Sequence, residues 1–289
     1  MKRLLVIGCG DVARRALPTW LARYRVSALL RAPDAKLASA GVQVIRGDLD
    51  RPETLAALAS SADLVAHLAP PGESGARDQR TRNLVASLGA GAMLPQRIVY
   101  VSTSGVYGDC AGERIDESRA TNPQTERAIR RVDAETVLRE WGRKHGLPVL
   151  VLRAPGIYAA ERLPLELLRR GTPVLRAAED SYTNHIHADD FAAIVSEALE
   201  RGAPGAYNAS DDGEMKMGDW FDLVADRCGL PRAARVSRAE AQKLIPPGLL
   251  SFMNESRRLL NGRMKEELGL QLRYPTVFEG VPRRVGTGD

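Results

Sequence analysis

RLLVIGCGDVARRAL, residues 3–17, decides the fold. Leu4–Ile7 form a short, branched, apolar run of the kind that makes a buried strand. Ala13–Leu17 supply strong helix formers. Between them, Gly8, Gly10 and Ala13 satisfy G-x-G-x-x-G/A, with a strand before and a helix after. Gly8 permits a tight turn, Gly10 lets a pyrophosphate approach the backbone, and Ala13 lets helix and strand pack closely. The helix start at Asp11, Val12 and Ala13 offers free N–H groups and positive potential to phosphates. A purely structural glycine turn is the alternative reading of the same residues.

Outward from this turn, apolar runs alternate with helical stretches. RVSALL (25–30), VQVIRG (42–47), ADLVAHLA (62–69), RIVYVST (97–103) and LPVLVLRAP (147–155) read as strands. ARRALPTWLARY, ETLAALASSA, RDQRTRNLVASLGAG and PQTERAIRRVDAETVLRE (123–140) read as helices between them. Strands apolar on both faces, separated by helices, predict an α/β fold with a doubly wound parallel sheet. After residue 158 the rhythm changes. HADDFAAIVSEALERG is a helix with an acidic start, GAYNASD a strand, and MGDWFDLVADRCGLP, SRAEAQKLIPPG and NESRRLLNGRMKEELG helices. The expected division is a dinucleotide-binding domain of residues 1–158 plus 183–203 and a smaller, mostly helical lobe of 159–182 plus 204–289.

Composition narrows the classes. Hydrophobic residues make up 44% of 289, enough for a large core. No apolar run approaches the ~18–20 residues a membrane helix needs. The apolar start is cut short by Gly-Cys-Gly-Asp and two arginines, unlike a secretory signal. Cys9, Cys110 and Cys228 are odd in number and far apart, so reduced thiols in a cytoplasmic protein are expected. Net charge is +5, yet the arginines are spread among 36 acids with no basic tail, which argues against a nucleic-acid partner.

Strand RVSALL ends in Arg31, where an acid would bind the ribose 2′-OH of NAD. An arginine there pairs with a 2′-phosphate through two parallel bonds. NADP is the expected cofactor, through Arg31 with Arg14 or Arg15 in support; NAD stays open. Asp48 is read as an acceptor for the adenine amino group with Leu49 packed on the ring, or as a helix cap. Ala69 and Pro70 begin a rigid run to Gly72 that passes the cofactor's ribose.

These motifs together, with VSTSGVYGD (101–109), RAPGIY (153–158), HIHADDFA (185–192) and AYNASD (206–211), resemble the extended short-chain dehydrogenase/reductase family, epimerase/dehydratase-like type. The resemblance covers nearly the whole chain and implies a Rossmann domain, with Thr103 and Pro155 on the cofactor. It also implies a Ser/Thr–Tyr–Lys triad, in which tyrosine carries the proton and lysine tunes it. Thr103 falls on the hydroxyl position. Matching through VDAETVLR puts Arg127 at the tyrosine position and Arg131 at the lysine position. Arginine does not give up its proton at pH 7, so Arg127 is no substitute. The chain resembles the atypical, YeeZ-like branch that lacks the pair. The remaining reading of this helix is a solvated face, with Arg131 and Glu135 as i,i+4 partners. Tyr107 is the first candidate for a displaced acid, Tyr158 a weaker one. His67 is read as a core or cofactor-edge residue. His185 and His187 beside Asp189 and Asp190 lack a third ligand, so no metal is expected. The expected function is an NAD(P)-dependent oxidoreductase or epimerase-like enzyme for a small polar, sugar-like or nucleotide-linked substrate. A non-catalytic NADP-binding sensor or partner-binding module is the alternative. By resemblance, a homodimer would pack through helices 76–90 and 123–144.

Overall fold

Each apolar run pairs with its neighbour in parallel register. The computed structural model describes residues 1–283. β1 (Arg3–Ile7) lies between β2 (Arg25–Leu30) and β4 (Leu64–His67). β3 (Gln43–Arg46) extends one edge beyond β2. On the other side follow β5 (Arg97–Thr103), β6 (Val149–Ala154) and β7 (Gly205–Asn208). The order β7-β6-β5-β4-β1-β2-β3 reverses direction between β1 and β4. Ligands bind at such a switch point, outside the strands' carboxyl ends.

Alternation along the strands divides the core. Leu4, Val6, Ala28, Val99 and Leu152 face one side with α1 (Asp11–Arg23) and α6 (Ala188–Ala198). Leu5, Ile7, Val65, Ile98 and Val151 face the other, against α3 (Gln79–Gly89) and α4 (Glu126–His145). α4 is fixed at both ends. Thr125 accepts a bond from the Ala128 N–H, and Gly146 closes the helix at φ +65°. A third cluster, built on Leu175, Trp220, Phe221 and Met253, is the core of the smaller lobe. It joins α5 (Leu165–Arg169), α7 (Met217–Cys228), α8 (Arg238–Leu244) and α9 (Pro247–Met253). No helix of the described residues is long and apolar enough to cross a membrane.

Two expected helices are corrected. ETLAALASSA forms two 3₁₀ turns, Pro52–Thr54 and Ala56–Leu58. The Thr54 hydroxyl takes the Asp48 N–H and donates to the Arg51 carbonyl, tying up groups a helix would need. Leu55 and Leu58 then both reach the core. NESRRLLNGRMKEELG is helical only at Gly262–Leu268. Upstream, Arg258–Leu259 is extended and pairs with Arg114–Ile115.

Candidate active site

Gly8 sits at φ +89°, and a Cβ there would stand 2.5 Å from the Ala69 backbone nitrogen. The Ala69 N–H in turn donates to the Ile7 carbonyl at 2.9 Å, so the β1 and β4 ends close on each other at this glycine. Gly10 differs: nothing lies within 4 Å of the place its Cβ would occupy. It precedes α1 with no side-chain cap, which leaves the first N–H groups of the helix, at Asp11, Val12 and Ala13, without a side-chain partner. This is a cradle that fits a pyrophosphate. Ala13 is buried against the sheet.

Around the β2 tip the cations sort themselves. Arg14 is paired with Asp34 at 2.5 Å, and Asp34 also caps α2 (Ala35–Ser39). Arg15 is taken by Asp11, Asp189 and Glu161. Arg31 is exposed. Asp50, on which the Arg31 charge acts, is paired with Arg80 at 2.6 Å. Asp48 turns its carboxylate onto the Asp50 N–H at 3.0 Å and makes no helix cap. Leu49 is buried, its carbonyl held by the Asn83 amide at 2.7 Å.

A cavity of about 710 Å³ opens at the carboxyl ends of β4, β5 and β6. Pro70–Glu73, Thr103–Gly105 and Pro155–Tyr158 line the sheet side, and Trp220, Phe221 and Phe252 line the lobe side. Arg127, Arg130 and Arg131 enter from the first turns of α4. The Arg127 guanidinium stacks 3.9 Å over the Phe252 ring. Arg131 donates to the Tyr100 hydroxyl at 3.1 Å and to the Val101 carbonyl at 2.5 Å. Its expected partner Glu135 is elsewhere. Glu135 is buried and bound by Arg153, Arg139 and Ser102, so the i,i+4 pairing is corrected. The reason is burial: a sealed carboxylate takes the sealed guanidinium of Arg153, whose exposure is 3%.

Of the two catalytic candidates, Thr103 lines the cavity and Tyr107 does not. The Tyr107 ring is buried, and its hydroxyl donates to Asn208 Oδ1 at 2.7 Å. Burial also pushes this phenol up. With its proton committed away from the cavity, Tyr107 is poorly placed to act as the acid. Tyr158 lines the cavity, but its hydroxyl donates to the Thr276 carbonyl.

His67, His185 and His187 are all buried. His67 bonds Thr81 Oγ1 at 3.0 Å, and burial lowers it to about 3. His185 lines the cavity against Trp220, ring centroids 4.4 Å apart, and burial lowers it to about 3 as well. His187 caps α6 by accepting the Asp189 N–H. Among the described residues, no three His, Cys, Asp or Glu side chains are grouped to hold a metal.

Sequence reasoning missed the lobe's contribution. Glu255 and Arg257 line the cavity from the loop before Arg258–Leu259. They were hidden inside a segment read as helix. The alternation of polar and charged residues in NESRR was the available signal of a break.

Residues 8–201 match a family model described as NAD(P)H-binding. The dTDP-D-glucose 4,6-dehydratase of Homo sapiens is 23% identical over 161 residues, 46% of this chain and 46% of that protein. The match thus spans about half the length of that relative. A functionally unknown conserved protein from Silicibacter pomeroyi DSS superposes with a TM-score of 0.79 at 28% identity, covering 97% of this chain and 96% of the other. The UDP-glucose 4-epimerase of Thermotoga maritima superposes with a TM-score of 0.78 at 18% identity over 96% of each chain, a likeness of fold.

Proposed function

The chain belongs to the NAD(P)H-binding family, and we propose that it is an NADP(H)-dependent oxidoreductase or epimerase-like enzyme for a small, polar, anionic substrate. One observation carries this reading. The open cradle at Gly10 and the cavity of about 710 Å³ both lie at the carboxyl end of the sheet. Five arginines line that cavity against two glutamates, which favours an anionic guest.

Gly8, Gly10, Asp11, Val12 and Ala13 would hold the pyrophosphate, and Asp48 and Leu49 the adenine. Ala69 and Pro70 would flank a ribose, with Thr103 and Pro155 at the nicotinamide end. When bound, the dinucleotide supplies hydride chemistry; the protein orients substrate and moves protons. Residues 1–158 plus 183–203 would form the cofactor domain, and the rest the substrate lobe. A homodimer through helices 76–90 and 123–144 belongs to the same reading. The missing tyrosine–lysine pair favours a second reading, a non-catalytic NADP-binding sensor, which predicts binding without turnover.

Arg31 supports NADP over NAD, because Arg14 and Arg15 already have carboxylate partners. Arg31→Asp should lower the NADPH/NADH affinity ratio at least ~10-fold, the loss of one charge-assisted phosphate contact. An unchanged ratio in a paired fluorescence titration would remove Arg31 from the site.

A further inference from the structure

The cavity contains an acid in the neighbourhood where the family's tyrosine is missing. Glu255 is 6% exposed and lines the cavity. Its Oε2 accepts from Arg257 Nη1 at 3.0 Å, while Oε1 is sealed without a hydrogen-bond partner. A Cβ built on Gly105 would lie 3.8 Å from Glu255 Oε2 and 3.6 Å from Thr103 Oγ1. The carboxyl group and the threonine hydroxyl therefore flank one point above the end of β5. Arg127, at the tyrosine position, feels the charges of both Glu255 and Arg257.

We propose that Glu255 is the proton carrier of this active site, with Arg257 as its positioning residue and Thr103 as the hydroxyl that orients the substrate. The inference rests on the enzymatic reading above. With an oxidised dinucleotide bound, the Glu255 carboxylate would accept the proton of a substrate alcohol while hydride left the carbinol carbon for the cofactor: O–H and C–H break, the C=O π bond forms, and the proton comes to rest on Glu255 beside Arg257. In the reverse direction Glu255 would first take a proton from solvent and pass it to the carbonyl oxygen.

Arg257 is built to hold that carboxylate. It is 7% exposed, and its Nη1 also donates to the Gly108 carbonyl at 2.8 Å, while Nη2 reaches Ser104 Oγ at 3.4 Å. The loop is anchored by the Ser256 N–H on Asp109 at 2.8 Å and by the Tyr182 N–H on Ser256 Oγ at 3.0 Å. The charged groups tied to Glu255 are Arg257 and Arg127, while Asp109, Cys110 and Tyr182 hold the neighbouring Ser256. His185 shares the cavity and packs against Trp220 and Tyr158.

Glu255→Gln keeps the shape and an acceptor for Arg257 but carries no exchangeable acid. The probe is NADPH oxidation by glyoxylate, a small anionic carbonyl acceptor, with NADPH binding followed separately by fluorescence. Binding should be unchanged in Glu255→Gln while turnover falls at least ~100-fold, within the range for loss of a general acid. Formate added to Glu255→Ala should restore part of the rate in a saturable, pH-dependent way, which loss of a structural latch would not produce. Wild-type turnover by Glu255→Gln overturns the proposal alone. A wild-type protein that binds NADPH but never oxidises it overturns the enzymatic reading and the proposal with it. If Glu255→Gln does not fold, Glu255→Asp decides: a wild-type rate and pH profile overturns the proposal, and a slower rate with a displaced pH limb supports it.

Discussion

Gly10→Asp should fold like the wild type and lose NADPH binding by at least ~100-fold. Nothing occupies the space its side chain would enter, and the backbone at φ −83° accepts any residue. Aspartate is a favourable helix N-cap, so stability should stay within about 1 kcal/mol of wild type. The same carboxylate would stand where the pyrophosphate is expected, and juxtaposed like charges cost several kcal/mol. Gly10→Ala, which adds only a methyl group, should lose much less. Thermal melting and NADPH fluorescence titration on the same samples separate the two effects. If Gly10→Asp bound NADPH as wild type does, the phosphate cradle would have to lie elsewhere.

Glu135→Ala should destabilise the fold by about 3–5 kcal/mol, the cost of stranding a buried charge. Arg153 and Glu135 side chains are 3% and 2% exposed and meet at 2.8 Å. Ser102 donates to the same carboxylate at 2.6 Å, and the Arg153 guanidinium lies 4.7 Å over the Tyr107 ring. One ion pair therefore ties α4 to β5 and β6 behind the cavity wall. Arg153 Nη1 already lacks a partner, so removing Glu135 leaves little to compensate the guanidinium. A paired replacement, Glu135→Leu with Arg153→Met, should recover most of the loss, since apolar substitutes for a buried pair are often neutral. Urea unfolding measures both. A loss under about 1 kcal/mol for Glu135→Ala would mean that water reaches this pair.

The sheet was legible because its strands carry near-continuous apolar runs, and β1, β4 and β5 fall within the runs that the sequence marks. The glycine turn was legible because Gly8 and Gly10 have separate tasks that only the strand–turn–helix context reveals. What escaped depended on contacts far apart in sequence. Glu135 left its helical neighbour Arg131 for Arg153, 18 residues on. Tyr107 gave its hydroxyl to Asn208, 101 residues away, so identity at the strand end did not predict orientation. ETLAALASSA has helical composition, but one threonine side chain redirected its backbone. Glu255 reached the β5 end through a loop whose partners, Gly108 and Ser104, lie about half the chain away.

The most direct measurement is a titration of the wild-type protein with NADPH and with NADH, following nicotinamide fluorescence. Saturable binding of both, tighter for NADPH, is the result that the Gly10 cradle and the unencumbered Arg31 predict. Binding of neither would mean that the fold persists without its cofactor site, and the account of the cavity as an active site would fall with it.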